Sequence, residues 1–153
     1  MPRPISVTIH MEALRHNLAR MREAAHGRDV LAVVKANAYG HGLNNAVAAF
    51  ADADGLATID ICDAVRSRGC GWKKRILLLE GFFEKDDIKD LEKYAIETVV
   101  HSQWMIDVLR NAAPLKNVRV HIKVNSGMNR LGFLPLEVPA VPVSYTHLRA
   151  HET

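Results

Sequence analysis

Short unbroken apolar runs alternate along the chain with stretches whose apolar residues recur at every third or fourth position. That is the pattern of strands alternating with amphipathic helices, and so of βα units around a parallel sheet. The runs predict five strands, at 30–34, 56–59, 76–79, 98–101 and 118–124, with helices at 45–51, 62–68, 87–94 and 103–111. Asn44, Asp60, Asp86 and Ser102 precede the helices, where their side chains can accept from free first-turn amides, and Gly69 and Pro114 mark stops. Before these units, Met11, Leu14, Leu18, Met21 and Ala25 share one helical face, and Gly27 closes that helix. Residues 1–10 differ: Ile5, Val7 and Ile9 alternate with Ser6 and Thr8, which predicts a half-exposed strand belonging to another sheet.

A repeat of roughly 20 to 25 residues suits either a barrel or a doubly wound sheet. A dinucleotide-binding turn of the Gly-x-Gly-x-x-Gly type is absent after the first strand, which disfavours a nicotinamide cofactor and leaves the barrel as the better architecture. A closed (β/α)8 barrel of the TIM type takes about 250 residues. With 153 residues, the expected fold is α/β, a partial TIM barrel of about five βα units spanning residues 11–141.

The candidate chemistry begins where the first strand ends. Val30 to Val34 is apolar throughout, as in a strand buried on both faces, and Lys35 follows it. Ligands of parallel α/β folds bind at that end of the sheet. Amines bordering an apolar interior lose proton affinity, and a neutral amine condenses with carbonyls. The alternative is a lysine that ends a strand and reaches into water. The string Lys35-Ala36-Asn37-Ala38-Tyr39-Gly40-His41-Gly42 resembles, position for position, the cofactor-lysine motif of alanine racemases. The resemblance implies that Lys35 is the Schiff-base lysine of pyridoxal 5'-phosphate and the base facing the α-hydrogen of D-alanine. It also implies that Tyr39 donates to the cofactor phosphate.

The fifth strand alternates sharply, with Val118, Val120, Ile122 and Val124 on one face and Arg119, His121, Lys123 and Asn125 on the other. In a barrel the polar set looks inward; in an edge strand it faces water. Residues 121–133, HIKVNSGMNRLGF, are similar to a second block of the same family. By that likeness Arg130 contacts the cofactor's phenolic oxygen and lies beside the substrate carboxylate. Lys123 would be the position often carbamylated, where a carbamate turns repulsion of Arg130 into a charge-assisted hydrogen bond. Asn125 and Ser126 stand where many members carry aspartate and threonine, a departure that bears on the carbamate. The run from Leu77 to Phe82 resembles the family's third strand, with Leu79 a candidate to line the cofactor ring or a simple core residue.

The implied function is interconversion of L- and D-alanine, supplying D-alanine for peptidoglycan, in a homodimer whose second base is a tyrosine of the partner subunit. The alternative is a pyridoxal-phosphate carrier of related barrel fold. Residues 142–153, PVSYTHLRAHET, fit nothing before them and read as a non-native tail, so the chain is expected to be an N-terminal fragment that is inactive alone. A net charge of +3 without a basic, aromatic-laced stripe argues against nucleic acid. Cys62 and Cys70 have neither CxxC nor zinc spacing, so no metal site is expected. With no signal-like N-terminus and no stretch of about 20 apolar residues, the expected location is the cytoplasm.

Overall fold

The computed structural model describes residues 3–112, 115–116 and 118–139. Their elements run α1 Met11–Ala24, β1 Leu31–Val33, α2 Lys35–Tyr39, α3 Leu43–Ala49, β2 Gly55–Thr58, α4 Ile61–Gly69, β3 Arg75–Leu78, α5 Asp87–Tyr94, β4 Glu97–Val100, α6 Gln103–Asn111 and β5 Val120–Ile122. The strands form one parallel sheet in the order β1-β2-β3-β4-β5, each joined to its neighbour through a helix. All five predicted strands are present, within one residue of the expected bounds apart from β5, which is two residues shorter at each end. Just past its C-terminal end Phe133 folds back onto the chain: Phe133 donates from its amide to the Lys123 carbonyl, and Asn125 donates to the Phe133 carbonyl.

Alternation divides the sheet into two unequal faces. Val34, Leu56, Ile76, Leu78, Thr98 and Val100 face the helices and are almost wholly buried. They pack with Leu43 and Ala46 of α3, Ala64 of α4, Ile88 and Leu91 of α5, and Met105, Ile106 and Leu109 of α6. The opposite face would be the barrel interior. Its register aligns Val33 with Ala57, Leu77 with Glu97, and Val99 with His121. Val33 is 40% exposed, whereas its neighbour Val34 is 0% exposed, because within this chain the sheet is an open arc whose inner face meets solvent.

Several expectations need correction. Residues 3–10 carry no strand, and Ile5 and Val7 are exposed, because this chain offers their alternation no sheet to pair with. On α1 only Leu18 is buried, and Met21 lies exposed beyond the reach of α3. Of the four predicted caps, only Asp60 acts as one, accepting from the Cys62 amide at 2.7 Å. Asn44 falls inside α3, and Asp86 and Ser102 occupy cap positions without capping bonds. Asp87 instead accepts from the amides of Phe83 and Glu84, bracing the loop ahead of α5. Pro114 and the tail at 142–153 lie outside the described residues.

Candidate active site at the C-terminal end of the sheet

Lys35 emerges directly from β1, and the chain then does something that its alanine-rich composition disguises. Ala36, Asn37, Ala38 and Tyr39 all take left-handed conformations, with φ of 52°, 53°, 55° and 53°. Each such L-residue costs roughly 1–2 kcal/mol relative to right-handed geometry, so the turn stores on the order of 4–8 kcal/mol. Surrounding bonds hold it. Ala38 donates to the Val34 carbonyl at 2.9 Å, and Gly40, itself at φ 87°, reaches back to Ala36 and Asn37. The Asn37 side chain accepts from the Leu43 amide at 3.0 Å, capping α3 from outside it. His41 Nδ1 lies 2.8 Å from the Ala38 carbonyl. A carbonyl can only accept, so Nδ1 carries the proton. Ala38 is buried, which anchors the turn to the core.

The result fixes how the predicted residues relate. Lys35 opens α2 just past β1, after Val34 donates to the Ala57 carbonyl, while the ladder Ala57↔Leu77 runs on through the Leu79 amide, which donates to the Thr58 carbonyl at 2.8 Å and keeps Leu79 on the inner face. Lys123, extending β5, lies on the same face, and its Nζ donates to the Leu79 carbonyl at 3.3 Å. Lys35 is half-buried, and its amine makes no hydrogen bond or ion pair among the described residues. Tyr39 and Arg130 are exposed, the first on the turn and the second on the loop after β5. No hydrogen bond or ion pair joins Arg130 to the others among the described residues. That loop is built on Asn125, whose Oδ1 accepts from the amides of Gly127 and Asn129.

Pattern reading gave no site role to several further groups at this end, Ser102 having been read only as a cap. His101, on the inner face beside Lys123, places Nε2 3.1 Å from the Glu80 carbonyl. Its alternation with Glu97 and Val99 was the available signal. Thr58 Oγ1 and Ser102 Oγ are buried without a partner among the described residues. Gly81 is held by close approach: a Cβ there would meet the Val99 carbonyl oxygen at 2.3 Å.

Residues 9–151 match the family model for the alanine racemase N-terminal domain. The chain belongs to this family. The alanine racemase of Janthinobacterium sp. (strain Marseille) is 49% identical over 150 residues, covering 98% of this chain and 41% of that relative. The alanine racemase of Bordetella avium (strain 197N) is 51% identical, covering 88% of this chain and 38% of that relative. Among solved structures, alanine racemase from Acinetobacter baumannii superposes with a TM-score of 0.86 at 31% identity, over 92% of this chain and 43% of that one. The biosynthetic alanine racemase from Pseudomonas aeruginosa gives 0.82 at 36% identity, over 92% of this chain and 39% of that one. The fold is therefore an arc of the family's α/β barrel, and the chain spans about two fifths of the length of these curated relatives.

Proposed function

We propose that this chain carries the cofactor-bearing part of an alanine racemase, with pyridoxal 5'-phosphate joined to Lys35 and L- and D-alanine as the interconverted substrates. The observation that carries the reading is the half-buried Lys35 amine just past the C-terminal end of β1, without a hydrogen bond or ion pair among the described residues, at the same end of the sheet as Leu79 and Lys123, which are joined by a bond from Lys123 Nζ to the Leu79 carbonyl. The donor set suits the group: an amine for an aldehyde, an apolar side chain for a flat ring, and cations for its anionic oxygens. Bound pyridoxal phosphate would withdraw electrons from the substrate α-carbon and so loosen its hydrogen.

The residues of this chain then have separate tasks. Lys35 takes or returns the proton on one face of the α-carbon. Tyr39 donates its hydroxyl to the phosphate, and Leu79 packs against the ring. Arg130 holds the phenolic oxygen and the substrate carboxylate. Lys123 keeps one N–H if carbamylated, so its bond to the Leu79 carbonyl is compatible with an added anion that steadies Arg130. Racemisation also needs a group on the opposite face of the α-carbon. We assign that to a partner subunit of a homodimer, so this chain alone should not racemise alanine. Residues 1–10 would pair with a sheet outside the chain. Among the described residues no helix is long and apolar enough to cross a membrane, and we place the activity in the cytoplasm, supplying D-alanine for peptidoglycan.

Incubation with pyridoxal phosphate, borohydride reduction and peptide mapping tests the assignment. The label should sit on Lys35. Equal labelling of several lysines, or a dominant label on another, would contradict it.

A further inference from the structure

Four consecutive left-handed residues without a glycine among them require something to hold them, and the structure shows one side chain tying the turn to the next helix. Asn37 sits at the centre of the run, and its Oδ1 accepts from the Leu43 amide, six residues on, at 3.0 Å. Its carbonyl accepts from Gly40 and Gly42 as well, so one residue closes the turn through both its backbone and its side chain. Leu43 is 1% exposed and opens α3, which packs into the core. Its amide is one of the first-turn donors that a helix cannot satisfy from within. Bonding that amide to Asn37 couples a buried helix start to the backbone immediately after Lys35.

We propose that Asn37 is a positioning residue: it locks the left-handed turn and thereby aims the Lys35 amine along the inner face of the sheet. The inference rests on the reading of Lys35 as the covalent anchor and adds a role for a residue that touches neither cofactor nor substrate. Without the Asn37 bond, Ala36, Ala38 and Tyr39 are free to relax toward right-handed geometry, and the peptide that follows Lys35 turns with them. Glycine has no left-handed penalty. Replacing Ala36, at φ 52°, should therefore remove part of the need for the lock.

Two readouts on this chain test the proposal. The first is hydrogen exchange at the Ala38, Gly40 and Leu43 amides without any cofactor. Asn37→Ala should speed exchange at Leu43 about tenfold or more. Asn37→Asp, which keeps the acceptor, and the double variant Asn37→Ala/Ala36→Gly should return Ala38 and Gly40 to within about threefold of the parent. The second is the rate at which Lys35 condenses with pyridoxal 5'-phosphate. Its nitrogen bonds the aldehyde carbon, water leaves, and hydride from borohydride fixes the product as a secondary amine. Asn37→Ala should slow this by about tenfold or more at Lys35, with the other lysines unchanged, and Ala36→Gly should restore it in the double variant. A parent that labels Lys35 while Asn37→Ala labels it equally fast overturns the positioning role and leaves the anchor intact. A parent that does not label Lys35 overturns the anchor and this proposal with it. Loss of capture that glycine fails to restore, in a variant whose core amides stay protected, also overturns it.

Discussion

At the N-terminal end of the strands, Arg68, Lys74 and Arg75 are tied to the chain itself, whereas at the C-terminal end Lys35 has no hydrogen-bond or ion-pair partner among the described residues and the backbone beside it is strained. Arg68 donates to the carbonyls of Trp72, Lys74, Tyr94 and Ala95, and so clamps the loops leading into β3 and β4. Lys74 donates to the carbonyls of Ala51 and Ala53. Glu97, its side chain 8% exposed, takes two bonds from Arg75 and one from His121 at 2.7 Å, with Arg119 at 3.4 Å and Asp29 completing the cluster through Arg75. The opposite end holds two buried hydroxyls without partners among the described residues, and four left-handed residues. One end of the arc is where the fold is secured by ion pairs and charged donors, and the other is where our proposal puts the cofactor. That is the division expected of barrel enzymes.

The contrast is sharpest in a pair of substitutions. Lys35→Ala should abolish cofactor capture while moving unfolding stability by no more than about 0.5 kcal/mol, since the amine makes no hydrogen bond or ion pair among the described residues. Arg68→Ala should do the reverse. It strips four carbonyls of a charged donor and should cost about 3–4 kcal/mol in a denaturant melt, with the folded fraction still labelled at Lys35. A large stability loss at Lys35, or a capture defect at Arg68, would break the comparison.

Glu97 gives an intermediate effect with a pH signature. Burial alone would raise its proton affinity, but the hydrogen bonds from Arg75 and His121 and the charges of Arg75 and Arg119 outweigh this and hold the carboxyl below its ordinary value of 4.5. A folded-state pKa below the unfolded one means that the stabilisation is present above the unfolded value and is lost as pH falls through the folded one. The denaturation midpoint should therefore drop as pH is lowered from about 5. Glu97→Gln should lower stability by about 2 kcal/mol near neutrality and flatten that acid limb. An unchanged limb in the variant would remove Glu97 from the account. The smallest effect belongs to Thr58. Thr58→Val should raise stability by about 1 kcal/mol, because it removes a buried hydroxyl that has no partner among the described residues. Destabilisation there would show that the hydroxyl is bonded after all.

Periodicity carried most of the architecture, because each strand has enough apolar residues to declare a buried run and each helix enough to declare a face. It also put Lys35 at the end of the first apolar run and Lys123 on the polar face of the fifth strand, whereas Leu79 was singled out by resemblance and not by alternation. What it missed is non-local or runs against local preference. The Arg75–Glu97 and Arg68–Ala95 bonds join residues that only the parallel register brings together. KANAY favours a right-handed helix on composition, and its left-handed path is imposed by Ala38 in the core and Asn37 at α3. The alternation of Ile5, Val7 and Ile9 predicts a strand, yet residues 3–10 form none here, because a pattern cannot supply the neighbouring strand that pairing needs.

The most direct measurement is an electron-density map of the protein crystallised with pyridoxal 5'-phosphate. The account predicts density continuous from Lys35 Nζ into the cofactor, with the ring over the inner face beside Leu79. Cofactor joined to Lys123 or another lysine, with the Lys35 amine turned out into solvent, would contradict it.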